Sequence, residues 1–267
     1  MIKWTDTFLS VHIFGEFMDN TKKFSGRAEA YTKGRPGYPQ ALFDCLYKDF
    51  SVSSQSVIAD IGAGTGKFSK YLLERGSRVY LVEPNPDMLD IAKQELSVCT
   101  NASFMNGTAN STGLDDNSVH FITAAQAFHW FDAEEFRKEC NRILKPGGRV
   151  ALVWNTRDMN SEFNVKSYEI YKKYCPDFKG YHGGMKDDDE RIAAFFNHNF
   201  EKFVFDNPIE FTKEKFITRS LSASYSLKSD DVNYNEYIKE LGDLFDVFSE
   251  NNIVIMKNNT SAYIGSV

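Results

Sequence analysis

Val57-Ile58-Ala59-Asp60-Ile61-Gly62-Ala63-Gly64-Thr65-Gly66 is the stretch whose reading decides the fold. Its first half is an uninterrupted apolar run broken only by Asp60, the mark of a strand buried on both faces of a parallel sheet. Its second half places a glycine at every other position. Phe68, Tyr71 and Leu72 then follow at i, i+3, i+4, the stripe of an amphipathic helix, and Gly76 is placed to end it. Glycines in a strand-to-helix turn let the backbone take positive φ and let a ligand approach where no Cβ intrudes. Such a ligand lies beside the free N–H groups of a helix N-terminus, in the crevice at the carboxyl ends of the strands.

Outward from this turn the pattern repeats. Val79–Glu83 reads as a second strand, with Asn85 as N-cap and Pro86 at N1 of a helix running to about Leu96. Ala102–Met105 is a third strand, followed by a polar loop to Asn117, and Val119–Ala124 is a fourth. Asp132 and Glu135 have capping-box spacing ahead of a helix with Phe136, Cys140, Ile143 and Leu144 on one face. Pro146-Gly147-Gly148 stops it, and Arg149–Trp154 is a fifth strand. Upstream, residues 38–50 read as a helix through Leu42, Phe43 and Leu46. Strands alternating with helices predict a doubly wound, parallel α/β sheet with right-handed crossovers. After Trp154 the rhythm changes. Residues 160–200 are helical in character and rich in tyrosine, 201–211 and 252–266 read as strands, and 212–221 and 234–248 as helices. The expected organisation is an N-terminal lead over 1–50 that closes the site and one ligand-binding domain over 51–267. Within that domain, 157–200 and 212–250 are cap or substrate insertions, the helical and aromatic cap being placed after strand five.

Composition sets limits on partners. The chain has 267 residues, 42% of them apolar and 25% charged, with a formal charge of −6. That suits one packed domain with an added cap. An acidic balance makes nucleic acid a poor partner. Cys45, Cys99, Cys140 and Cys175 form no C-x-x-C pair, which argues against a zinc knuckle or redox motif and for buried thiols in a reducing compartment. Residues 1–17 mix Lys3, Asp6, His12 and Glu16 among apolar side chains, so neither a signal peptide nor a membrane span is expected. The expectation is a cytoplasmic protein acting on a small molecule, with no metal, no nucleic acid and no membrane partner.

The chemistry of the turn narrows the ligand. A dinucleotide fingerprint is G-x-G-x-x-G, and its third glycine would fall at Lys67. An acid inside the strand, Asp60, suits a cationic ligand better than a diphosphate. Glu83 ends the second strand, where a carboxylate can accept both hydroxyls of a ribose, and this serves a dinucleotide and any other adenosine ligand alike. Met88, one turn into the next helix, is placed to pack on an adenine.

Val57–Gly66 resembles motif I of class I S-adenosylmethionine-dependent methyltransferases. Glu83-Pro84-Asn85-x-x-Met88-Leu89 is similar to their second motif, and Leu144-Lys145-Pro146-Gly147-Gly148 to the turn before their fifth strand. Phe24-x-x-x-Ala28-x-x-Tyr31-x-x-x-Arg35-Pro36-x-Tyr38-Pro39 and Gln126–Asp132 resemble small-molecule methyltransferases of the methyltransferase type 11 kind, including the trans-aconitate-like group. The resemblance implies a Rossmann-like seven-stranded sheet with S-adenosylmethionine as cofactor. It places Gly62, Gly64, Thr65 and Gly66 under the methionine part, Asp60 at the ammonium, and Glu83 with Pro84 at the ribose. Thr108 and Ala109 fall at the adenine, Ala125 and Gln126 beside the sulfonium, and Tyr31 and Arg35 over the pocket.

Other residues carry two readings. His129 is a general base for a hydroxyl or amine acceptor, or a packed wall residue. Trp130 and Phe131 shape an acceptor pocket or belong to the core. Arg219 and Tyr225 supply donors to an anionic acceptor or belong to an ordinary helix end, and Arg157, just past the fifth strand, is placed for substrate. Asp187-Asp188-Asp189-Glu190 reads as a solvated loop capping the helix near Arg191 rather than a metal site. Methyl transfer from an activated sulfonium needs mainly proximity and alignment, so a carboxylate acceptor requires no base. Two rival functions stand beside it: an NAD(P)-dependent oxidoreductase on the same fold, and a non-catalytic S-adenosylmethionine-binding protein.

Overall fold

A computed structural model describes residues 36–181, 189–223 and 225–267. The central strand β1 (Val57–Ile61) is flanked by β2 (Arg78–Val82) and β4 (Val119–Ala125), with β3 (Ala102–Met105) outside β2 and β5 (Leu144–Arg157) outside β4. These five run parallel. β9 (Asn258–Gly265) runs antiparallel between β5 and β6 (Phe200–Asp206), giving the seven-stranded order β3-β2-β1-β4-β5-β9-β6. The order reverses between β1 and β4, so the crevice at their carboxyl ends is the topological switch point.

Helices α1 (Gln40–Asp49), α2 (Lys67–Glu74) and α3 (Pro86–Glu95) bury Leu42, Phe43, Phe68, Leu72 and Ala92 on one face of the sheet, together with Ile58, Val79 and Val153. On the other face, α4 (Ala133–Ile143) and α6 (Glu190–Phe195) pack with Phe128, Leu152 and Trp154. Phe136 stacks on Phe195 with ring centroids 5.3 Å apart. Local capping follows the sequence. The Asn85 side chain accepts from Met88 N with Pro86 at N1, Asp132 accepts from Glu134 N and Glu135 N, and Asp189 accepts from Arg191 N.

A third core lies in the cap. It joins α5 (Glu162–Tyr174), which follows β5, to β7 (Ile209–Phe211), α7 (Lys213–Leu221), α8 (Tyr234–Phe248) and β8 (Val254–Met256), which lie between β6 and β9. The cap therefore does not sit only after the fifth strand; most of it follows the sixth. α6, expected within the first insertion, packs on the sheet instead.

Two segments read as single strands are each divided. Residues 201–211 split at Asn207-Pro208 into β6 of the large sheet and β7 of a two-stranded ribbon, and 252–266 split at Lys257 into β8 and β9. Pro208 has no N–H to continue a ladder, so the chain leaves the sheet there. β5 also begins earlier than expected, because Leu144 pairs with Val119 before the Pro146-Gly147-Gly148 turn shifts the register.

Phe216 of α7 is fully buried, with Phe163 at 5.2 Å and Phe245 at 6.2 Å between ring centroids. Phe216→Ala is expected to destabilise the cap by about 3–5 kcal/mol, read by urea unfolding. A loss under about 1 kcal/mol would show that this cluster is not a packed core.

Candidate functional site

Asp60 is the electrostatic centre of the switch point. It is 1% exposed, and its carboxylate accepts from Ser69 Oγ of α2 at 2.5 Å and from Thr123 Oγ1 of β4 at 2.7 Å. One acid thus ties strand, helix and neighbouring strand together. Burial pushes its pKa from the ordinary 3.8 up to about 6. The two hydroxyl bonds oppose that rise and the Glu83 charge adds to it.

The glycine turn hooks over the end of β2. Gly62 N and Ala63 N both donate to Val82 O, at 2.8 and 3.1 Å. Gly64 N donates to Glu83 Oε2 and Asn85 N to Glu83 Oε1, each at 2.9 Å. Glu83 is buried, which raises its pKa, while those two N–H groups lower it. Each of its oxygens keeps a further lone pair for a ligand hydroxyl. The glycines differ in their reasons. Gly66, at φ +76°, packs so closely that a Cβ would lie 2.7 Å from Leu96 Cδ1. Gly64, at φ +57°, would meet nothing within 4 Å, so its side of the turn faces open space where a ligand can rest on the backbone.

That space is a pocket lined by Asp60, Gly62, Ala63, Gly64 and Thr65 from the first crossover, Lys67 and Phe68 from α2, Ala125 and Gln126 after β4, Asn155 of β5, and Pro36 and Tyr38. Gln126 sits at φ +57°, an uncommon conformation for a side-chain-bearing residue. It is fixed there by Gln126 N donating to Val153 O at 2.8 Å and Nε2 donating to Asn155 O at 3.2 Å. Asn155 Nδ2 and Asn207 Nδ2 both donate to Gly37 O, at 3.1 and 3.0 Å. Asn155 Oδ1 accepts from Thr260 Oγ1 and from Asn207. These amides hold the backbone at Gly37, between the pocket-lining Pro36 and Tyr38.

Of the residues anticipated from sequence, Asp60, Gly62, Gly64, Thr65, Ala125 and Gln126 line this pocket. Glu83 reaches it through Gly64, and Gly66 supports the turn from behind. Pro84 O accepts from Asn106 Nδ2 at 3.3 Å. Met88 is 3% exposed, so protein already covers most of its side chain. Thr108 bridges to Ser111, with Ala109 half-buried between them in sequence. Tyr31 and Arg35 lie outside the described residues. His129 and Trp130 are not among the lining residues; their rings lie 4.7 Å apart, and Trp130 is 40% exposed.

The charges of Arg157 and Arg219 both favour ionisation of Tyr225 in the cap, against its burial, which pushes the phenol up to about 12. Sequence reading missed Asn155, Lys67 and Phe68. Asn155 carried one usable signal, a polar residue at the carboxyl end of a buried strand. Among the described residues no cluster of His, Cys, Asp or Glu could hold a metal, and no helix is long and apolar enough to cross a membrane.

Residues 59–152 match the Methyltransferase domain family. The chain is 42% identical over 140 residues to an uncharacterized methyltransferase of Mycobacterium tuberculosis, covering 52% of this chain and 55% of that one. It is 36% identical over 161 residues to an uncharacterized methyltransferase-like protein of Schizosaccharomyces pombe, covering 59% and 62%. It therefore spans little more than half the length of these curated relatives. A candidate type II methyltransferase from Anaeromyxobacter dehalogenans shares the fold at TM-score 0.59 and 20% identity, over 87% of this chain and 97% of that one. Residues 59–152 are thus similar to a methyltransferase domain, and the seven-stranded sheet that carries them shares the Rossmann-like fold of that solved structure.

The raised acid has a consequence for stability. The folded chain holds the Asp60 proton up to about pH 6, whereas the unfolded chain releases it near pH 3.8. Folded protein therefore binds more protons between those values, and stability falls as pH rises through that window. Asp60→Asn is expected to remove up to about 3 kcal/mol of this pH dependence between pH 4 and 7, measured by urea unfolding. Identical profiles for the two proteins would show that Asp60 titrates normally.

Proposed function

We propose that the chain binds S-adenosylmethionine in the β1–β4 crevice and transfers its methyl group to a small-molecule acceptor. The observation that carries this reading is the pairing, on one glycine turn, of the buried Asp60 with a Glu83 whose oxygens are held by Gly64 and Asn85.

The residues present fit the cofactor. Asp60 offers negative charge to an amino group, and a bound cation would favour its ionised form. The spare lone pairs of Glu83 suit two ribose hydroxyls. The open side of Gly64 admits a ligand against the backbone. Ala125 and Gln126 form the wall beside the reacting centre, and Pro36 and Tyr38 close the pocket from the lead. Bound there, S-adenosylmethionine supplies a methyl group already activated by its sulfonium. The chain's own work is then to orient the acceptor and keep water from the crevice, so positioning supplies most of the rate. A hydroxyl or amine acceptor would also need a base, for which His129 is the candidate; a carboxylate would not.

Two features favour this reading over a nicotinamide cofactor. Lys67 occupies the place of the third fingerprint glycine, and the acid in β1 faces the pocket. Calorimetric titration with S-adenosylhomocysteine and with NAD separates them. S-adenosylhomocysteine is expected to bind with a Kd on the order of 10 µM and NAD not at all, and Glu83→Ala is expected to weaken the former by about tenfold or more. Tight NAD binding without S-adenosylhomocysteine binding would overturn the proposal. Mass-spectrometric detection of a methylated product across small acids, phenols and amines tests transfer itself; a protein that binds the cofactor and methylates none of them would be a binding protein only.

A further inference from the structure

β6 is the last strand of the seven-stranded sheet, and among the described residues no strand pairs with its outer edge. Its register with β9 runs unbroken from Phe200 to Asp206, and Asn207 N continues it by donating to Asn258 O at 2.8 Å. Backbone polar groups alternate in direction along an antiparallel strand. Phe205, Phe203 and Glu201 therefore turn theirs toward β9, as Asn207 does, while Lys202, Val204 and Asp206 turn their N–H and C=O groups outward. Pro208, next in the outward series, has no N–H to offer, so the free ladder ends at Asp206.

An open row of such groups is a template for pairing with another strand. The side chains say which strand. Lys202 lies over the Tyr263 ring at 5.3 Å, so Lys202, Val204 and Asp206 share that face of the sheet, and Val204 is 56% exposed there. Phe203 and Phe205 are half-buried on the other face, with ring centroids 6.4 Å apart. A two-fold axis at Val204 sets β6 against a copy of itself with Val204 facing Val204 and each Lys202 facing the other copy's Asp206. All of these residues have outward backbone groups, so each such pair exchanges both N–H···O bonds. On the other face Phe203 meets Phe205 in the closely spaced kind of pair that favours aromatic contact. An axis at Lys202 would oppose two ammonium groups, and one at Asp206 two carboxylates, which is destabilising. An axis at Phe203 or Phe205 would set Val204 against a charge. The strand is thus its own charge complement in a single register.

We propose that two copies of this chain pair along β6, antiparallel about Val204, into one continuous sheet. β5 and β9 stand between β6 and β4, so the contact does not depend on what the β1–β4 crevice binds.

The test is sedimentation equilibrium of the full chain, which is expected to show a monomer–dimer equilibrium with a Kd on the order of 10 µM. Val204→Pro removes an outward N–H and leaves the bonds to β9 intact, and is expected to weaken the dimer about tenfold or more. Lys202→Asp and Asp206→Lys, which oppose like charges, are each expected to weaken it about fivefold, and the variant carrying both to return within about twofold of the wild-type Kd. Circular dichroism and urea unfolding check that each variant keeps its fold. Without any substitution, amide exchange at Lys202, Val204 and Asp206 is expected to slow as concentration rises through the Kd, while that of Phe203 and Phe205 stays slow throughout. A chain monomeric at about 500 µM, a dimer indifferent to Val204→Pro, or a double variant no tighter than its two parents would each overturn the inference. So would outward amides already protected in the monomer, because another segment of the same chain would then cover this edge.

Discussion

A carboxylate buried in a sheet beside its crevice is the constraint on which this molecule turns. Asp60 stands where the strand order reverses, and its two hydroxyl partners come from α2 and β4. Burying an acid is unfavourable unless hydrogen bonds compensate, and here they do so only in part, since its pKa remains raised. The partners fix the angle at which α2 leaves the glycine turn, and that turn in turn fixes Gly64 against Glu83. The crevice is thus held open by interactions that a well-packed apolar strand would not need.

Around this centre the structure separates two tasks. The sheet and its helices form a rigid seat whose residues come from short, regular crossovers. The cap has its own aromatic core, and Tyr181 lies under the Arg157 guanidinium at the end of β5. Asn155 and Asn207 join the two halves. One lies at the end of β5, the other where the chain leaves β6 for the cap, and both hold the carbonyl of Gly37. The backbone at Gly37 and the start of the cap are therefore linked through one pair of amides.

The seat was legible in the sequence because each of its parts has a local cause. The apolar run of β1, the glycine alternation, the Asn85-Pro86 start of α3 and the Asp132 cap are all set by residues within a few positions of one another. The cap was less legible. An aromatic stripe predicts a buried helix face without saying what buries it, so α6 was grouped with the cap although it packs against α4. The breaks at Asn207-Pro208 and Lys257 were hidden for a similar reason: alternating residues look alike whether they pair in one sheet or two. Gly64 and Gly66 are indistinguishable in sequence, yet one faces a ligand space and the other a leucine. Asn155 draws its meaning from Gly37, Asn207 and Thr260, three contacts distant in the chain.

The most direct measurement is the titration of Asp60 by carboxyl-carbon NMR, with and without S-adenosylmethionine. Its pKa is expected to lie near 6 in the free protein and to fall by about one unit or more when the cationic cofactor binds. A carboxyl that titrates near 3.8 in the free protein, or one unmoved by saturating cofactor, would contradict the central claim.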